Sequence, residues 1–476
     1  MSVAVPVIPP LPNLLDDEQE LYQFLLACQE KLRGNQGKIF NFSQSIPFAD
    51  PLSVLAAIQP QDCIHFYGEN RHKEEAILGY GVTNSFELSD GSRFRQSQTF
   101  LQACFQQIVT IPGKNGLTLP PQIFCGFTFF ETSHPQSPFP TAFLFLPQLQ
   151  LLKKRNQCFL SCNIALDKTV NIRFLVKQIY RQLQWLKNPT ESLYFSEISP
   201  RINPLLQPIP VNSALNIQTS IQTILKSIQN HHFSKVVLAQ AMDVWGQQNF
   251  QVDQCLQRLR HSYQDCYLFS IGNGRGSCFI GASPERLLSI HKDQLVTDAL
   301  AGSAPRGLTP QEDAQFAHQL LQSNKERREH QAVIEFIVQR LTELGLTPQR
   351  SPLKLLKLSN IQHLWTPIHA QLKPSLHPLD ILAKLHPTPA VAGVPTQIAC
   401  QMIQAHENFD RSLYAAPLGW VDAQGNSEFI VGIRSALIHQ NQARLFAGAG
   451  IVAGSEASKE LAEINLKLQT LLKALV

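Results

Sequence analysis

The stretch IFCGFTFFETSHPQSPFPTAFLFLPQLQLLKKRNQCFLSCNIAL, Ile123 to Leu166, decides the fold. Three runs within it, IFCGFTFFE, TAFLFLP and QCFLSCNIAL, read as strands, and no helix-length amphipathic segment separates them. Upstream, KIFNFSQSI, CIHFYGEN and AILGYGV read the same way. Strands that follow one another directly argue against a βαβ doubly wound sheet. They favour antiparallel sheets with helices packed outside, an α/β (α+β) class. Helices are expected at DDEQELYQFLLACQEKLRG and NIRFLVKQIYRQLQWLK.

Downstream, FSKVVLAQAMDV, CYLFSIG, CFIGA, RLLSI and QLVTDAL continue the strands, followed by GWVDAQGNSEFIVGIRSALI with a turn at AQGN, and by ARLFAGAGIV. GNGRG at 272–276 lacks the strand-then-helix setting of a dinucleotide loop and reads as a hairpin turn. The proline-rich SPRINPLLQPIPVNS divides 1–212 from 213–476. It fits a domain boundary or a surface crossing within one domain.

The 476 residues carry a formal charge of only +4 and no dense basic block, which gives nucleic-acid or membrane binding little support. Ten cysteines without a CxxC pair fit reduced, packed thiols of a cytoplasmic protein. The first twenty residues contain no Lys or Arg and several prolines, unlike a signal or transit peptide.

Two helices each carry an ExxE pair. In SNKERREHQAVIEFIVQRL, Val333, Ile337 and Leu341 form an apolar arc that runs backward into Glu326, Glu329 and His330. In SKELAEINLKLQTLLKAL, Leu461, Ile464, Leu468, Leu471 and Leu475 form the arc, with Glu460, Glu463 and Lys467 at or near its border. Three-residue spacing puts each pair on one side of its helix. Four converging carboxylates repel one another unless a divalent cation sits between them, and oxygen-only ligands favour Mg²⁺. The same acids also fit a Ser323–Glu326 capping box and first-turn acids at a helix N-terminus.

FSKVVLAQ, FIGASPERLL, ALAGSAPRG, KERREH, LHPTPAVAGVP, FDRSLYAAPLGWVD, FIVGIRSALI, RLFAGAGIV and KELAEINLKL occur in the order seen in the chorismate-binding family, which this chain resembles from about Ser213 onward. The resemblance implies one large unit of two antiparallel sheets packed face to face with helices outside. Residues 1–212 would then be the poorly matched part of that unit and 213–476 its catalytic region. Lys235 stands where ammonia-using members carry Gln. Ala301 stands where a nucleophilic Lys would otherwise be. Ala390 matches isochorismate synthases, where a type of salicylate synthase carries threonine. No GxCxGxQ signature is present, so no glutamine amidotransferase subunit is expected.

By this resemblance the chain is an isochorismate synthase, with a salicylate synthase or a non-catalytic relative as alternatives. The implied reaction adds water at ring carbon 2 of chorismate, shifts the double bonds and expels hydroxide from carbon 4. Lys235 is then the base and Glu285 the acid, the latter kept protonated by an apolar pocket. Glu329 and Glu463 hold Mg²⁺, with Glu326 and Glu460 acting through waters. Arg434, Lys467 and the backbone near Gly448 take the enolpyruvyl carboxylate, and Gly302 and Ser303 the ring carboxylate. Tyr414, Phe446 and Ala390 shape the wall. His330 either orients Glu329 or packs. A monomer or weak homo-oligomer is expected.

Overall fold

In the computed structural model, which describes residues 11, 13–14, 17–32, 37–132, 134–187, 207–211, 214–359 and 361–475, the stretch Ile123 to Leu166 makes two antiparallel hairpins. Gln122–Phe127 pairs with Ala142–Leu146, and Leu149–Lys154 pairs with Gln157–Leu166. The first hairpin belongs to a ten-stranded sheet and the second to a thirteen-stranded one. The chain crosses between them at Pro147, which has no N–H to leave unpaired. Among the described residues every strand pairing is antiparallel except Lys38–Ile46 with Ile108–Ile111.

The inner faces are joined by aromatic packing. Phe66 of the large sheet stacks on Phe124 of the small one, with ring centroids 4.7 Å apart. Both sheets draw strands from either side of residue 213. Tyr267–Asn273 pairs with Ile64–Asn70, and Pro417–Asp422 pairs with Gln122–Phe127. Of the proline-rich stretch 199–213, only 207–211 falls within the described residues, and Gln207–Pro210 there forms an edge strand on Lys235–Trp245.

The expected helices form at Glu18–Glu30, Ile172–Lys187, Asn324–Glu343 and Ala457–Leu475. The turns at AQGN and GNGRG also form, between paired strands. Among the helices not read from the sequence are Pro51–Ala57, Arg93–Gln106 and Val252–Ser262. The buried face of Arg93–Gln106 is Arg93, Ser97, Leu101 and Cys104, too polar to show as a stripe. Val252–Ser262 buries the regular set Val252, Cys255, Leu256 and Leu259, a signal that was present.

Candidate active site

The chain passes between the sheets at two neighbouring places. Ser283 ends a strand of the large sheet and Arg286 starts one of the small sheet. Val431 and Ser435 make the return. The Val431 N–H donates to the Glu285 carbonyl at 3.1 Å, tying the two crossings together. A cavity of about 420 Å³ opens beside them. It is closed on one side by Asn324–Glu343 and Ala457–Leu475, which bring Glu329 and Glu463 to its wall.

The cavity wall also includes Glu285, Gly302, Ser303, Ala390, Tyr414, Arg434, Phe446, Gly448 and Lys467. Lys235, Glu326 and Glu460 stand behind that wall. Lys235 is only 2% exposed on an interior strand, flanked by Gly393–Val394 and Gln442–Val452. It is therefore not an edge-strand lysine. Its Nζ donates to Glu329 Oε1 at 2.8 Å.

Glu285 sits in the crossing between sheets and is 4% exposed. Burial, reinforced by the charge of Asp298, pushes its carboxyl up to about 8 against the opposing pull of Lys235. It therefore holds a proton at neutral pH while lying within electrostatic reach of Lys235.

The Gln294–Pro305 strand carries a bulge between Ala301 and Ser303, centred on Gly302 at φ +77°. A side chain at Gly302 would also meet Glu326 at 3.2 Å. The bulge turns the Ser303 N–H toward Glu326 Oε2, 3.1 Å away, and the Ser303 hydroxyl bonds Glu463. Ser323 caps the helix by accepting from the Glu326 N–H, while Glu326 sends its carboxylate to Ser303.

The four carboxylates each have a polar partner. Lys467 lies 2.7 Å from Glu463, and Lys325 lies 3.1 Å from Glu460 and 3.7 Å from Glu326. Burial pushes Glu463 up, but Lys467 and Lys325 outweigh it and hold the group below its ordinary value. Glu326 is pushed up by burial and then by Glu329. The donors are all carboxylate oxygens, the kind a hard divalent cation takes, and the repulsion felt by Glu326 is what such a cation relieves. The side chains are not drawn together around one point: among the described residues no three acidic, His or Cys side chains form a group that could hold a metal ion.

Arg434 (φ +49°), also on the cavity wall, stacks over Tyr263, 5.8 Å from the ring centroid. Lys467 Nζ donates to the Gly448 carbonyl at 2.9 Å. Tyr414 and Phe446 stack with centroids 5.1 Å apart. His330 is buried, bonds Thr366 Oγ1 through Nε2 at 2.8 Å, and is held down to about 4 by burial despite Glu329.

Among the cavity residues that escaped the sequence reading is one with a titratable ring. His363 lies opposite Ser303 on the strand Ile361–Gln371. Its Nε2 is 3.3 Å from Arg434 Nη2, and the ring also bonds the Gly302 backbone. A guanidinium only donates, so Nε2 accepts and the ring is neutral. Burial, then Arg434 and Lys467, push this imidazole down to about 3, in keeping with that state. Pro367 hid the strand. It sits where the neighbouring strand changes from Lys354–Lys357 to Gln349–Arg350, so its missing N–H costs no ladder bond there.

Two face-packed antiparallel sheets, with the buried Glu285 and the cations Arg434 and Lys467 on one cavity wall, define an α/β enzyme acting on a small anionic substrate. The chain belongs to the chorismate binding enzyme family, whose model matches residues 23–476. It is 29% identical over 464 residues to isochorismate synthase MenF of Bacillus subtilis (strain 168), covering 95% of this chain and 97% of that one. It is 42% identical over 263 residues to the salicylate biosynthesis isochorismate synthase of Pseudomonas aeruginosa. That match spans 54% of each protein, so it reaches only about half the relative's length. The solved structure of MenF, the menaquinone-specific isochorismate synthase from Escherichia coli, superposes with a TM-score of 0.77 at 27% identity, covering 96% of this chain and 99% of that one.

Proposed function

We propose that the protein is an isochorismate synthase: it adds water at ring carbon 2 of chorismate, shifts the double bonds and releases hydroxide from carbon 4. The observation that carries this reading is Glu285, a buried carboxyl on the cavity wall that stays protonated to about pH 8, within electrostatic reach of the buried amine of Lys235. Hydroxide is a poor leaving group and needs a proton. Glu285 supplies it. Water is a weak nucleophile and must lose one. Lys235 takes it. Arg434 binds the enolpyruvyl carboxylate, and the neutral His363 holds the guanidinium without adding charge. Lys467 and the backbone around Gly448 complete that anchor. Gly302 and Ser303 meet the ring carboxylate.

Mg²⁺ belongs to this reading. Glu329 and Glu463 would hold it, backed by Glu326 and Glu460, and it would supply charge neutralisation and polarisation at the ring carboxylate. Lys325 and Lys467 pair with the same group of carboxylates, at Glu326, Glu460 and Glu463. A cytoplasmic location is supported by ten cysteines that are all free. No helix among the described residues is long and apolar enough to cross a membrane.

The test is a single assay with purified protein, chorismate and Mg²⁺ that resolves isochorismate, salicylate and pyruvate. Isochorismate without stoichiometric pyruvate is the expected result. No consumption of chorismate sinks the reading.

A further inference from the structure

The strand Lys235–Trp245 is incompletely covered on one side. Gly393–Val394 pairs with Lys235 and Val236, and Gln207–Pro210 pairs with Met242 to Trp245. Between these short partners lies a gap of five residues, Val237 to Ala241, in the segment that leads directly to Lys235. Loop backbone closes its two ends. The Val237 N–H donates to the Ala392 carbonyl at 2.7 Å, and the Val211 N–H donates to the Ala241 carbonyl at 3.0 Å.

One buried ion pair spans the middle. Arg411 is fully buried, and its Nη2 donates to the Val237 carbonyl at 2.9 Å. Glu407 Oε1 accepts from the Ala239 N–H at 2.7 Å. The two side chains hold each other through Arg411 Nε and Glu407 Oε2 at 2.8 Å and Nη2 and Oε1 at 2.6 Å. A side-chain carboxylate and guanidinium thus make the bonds a neighbouring strand would make.

The same guanidinium reaches the cavity wall. Arg411 Nη1 donates to the Val391 carbonyl at 3.0 Å, in the loop that carries Ala390. Its plane lies under Tyr414, 5.6 Å from the ring centroid, and over Phe129 at 4.4 Å. Val237, Val391 and Tyr414 all line the cavity. Three wall elements from distant parts of the chain therefore meet on one planar cation. The carboxylate anchors Arg434 and Lys467 do not touch it.

We propose that the Arg411–Glu407 pair is a positioning device that sets the Lys235 strand against the Ala390–Val391 and Tyr414 walls, so that the base meets the ring at the productive distance. This rests on the chorismate reading above. A lysine at 411 keeps the charge but is a single-point donor. It cannot serve Val237, Val391 and the carboxylate together in the fixed plane of a guanidinium.

The experiment compares wild type, Arg411→Lys and Glu407→Gln by steady-state turnover of chorismate with Mg²⁺, alongside thermal unfolding. Expected is a kcat about 10- to 100-fold lower for Arg411→Lys, the scale of a misplacement of about 1 Å, with KM changed by less than about threefold. Glu407→Gln keeps an oxygen acceptor for the Ala239 N–H and should recover part of the lost kcat. Unchanged kcat in a folded Arg411→Lys, whatever its unfolding temperature, overturns the proposal. So does a raised KM at unchanged kcat. Should Arg411→Lys not fold, Glu407→Gln decides: a folded variant with lowered kcat upholds positioning, and wild-type kcat or a second failure to fold assigns the pair to stability alone. A wild type inert toward chorismate overturns both the positioning role and the functional reading beneath it. An active wild type matched by its variants sinks only the positioning role.

Discussion

Lys235 Nζ lies 2.8 Å from Glu329 Oε1, the two side chains 2% and 13% exposed. The buried Lys235 and the partly buried Glu329 of the cavity wall are thus one ion pair, reached from the large sheet on one side and from the helix Asn324–Glu343 on the other. Removing either partner strands the other. Glu329→Gln is expected to cost about 1–3 kcal/mol, the range for losing a charged hydrogen-bond partner, and to abolish Mg²⁺-dependent turnover. Lys235→Ala should lose about two to four orders of magnitude in kcat, the range for a positioned base. Near-wild-type kcat in folded Lys235→Ala would remove Lys235 from the mechanism.

Glu285 predicts a pH dependence of definite sign. An acid with a pKa of about 8 is active when protonated, so kcat should fall as pH rises through about 8. Stability follows the same direction. The folded chain holds a proton that the unfolded chain releases in the ordinary carboxylate range, so this contribution is complete below that range and is lost as pH climbs to about 8. Glu285→Gln should flatten the stability slope and remove the proton donor. A rate that increases between pH 7 and 9 in wild type contradicts the acid role.

Gly450 lies on the strand beside Lys235 and allows the pair its close approach. A Cβ there would stand 3.0 Å from Glu329 Oε1 and 3.1 Å from Lys235 Cε. Gly450→Ala should therefore push the pair apart while leaving the strand intact, since the backbone there needs no unusual conformation. The expected loss in kcat is about 10- to 100-fold, the scale of a misplacement of about 1 Å. Wild-type turnover in Gly450→Ala would show that the spacing of the pair is not critical.

The sheets and the cavity differ in how far the sequence exposes them. Continuous apolar runs such as TAFLFLP announce strands because the side chains on both faces are buried, and consecutive runs already imply antiparallel pairing. The ExxE pairs stand out because charge beside an apolar arc is costly, whereas Lys235 and Glu285 are marked in the sequence only by the resemblance to the family. His363 does not stand out, because Pro367 breaks the pattern of its strand. Arg411 does not, because one arginine four residues after a glutamate looks like an exposed helical pair. Only the folded chain shows that Arg411 is fully buried and faces backbone carbonyls from two remote segments.

The metal prediction follows from Glu329 and Glu463 on the cavity wall and from the repulsion that Glu329 exerts on Glu326 behind it. Protein stripped with a chelator should neither turn over chorismate nor show the thermal stabilisation that added Mg²⁺ gives by binding the folded state. Glu463→Gln should weaken that stabilisation, because it removes a donor on the cavity wall. Full turnover in the continued presence of chelator would discard the cation.

The nucleophile is the last point the site decides. Lys235 stands where ammonia-using members of the family carry Gln, and Ala301 on the cavity wall offers no amine for covalent amination. Water is therefore expected to attack. Turnover in ¹⁸O-water should place label at carbon 2 of the product, and added ammonium should give no aminated ring. Label at carbon 2 alone does not separate isochorismate release from a subsequent elimination, since both begin with the same addition. Pyruvate does separate them. Pyruvate appearing in step with chorismate loss, faster than free isochorismate decays in a control, would show that the cavity also catalyses elimination. Isochorismate accumulating with label and without pyruvate is the outcome expected from a wall that carries Ala390 and a His363 held neutral and bonded to Arg434.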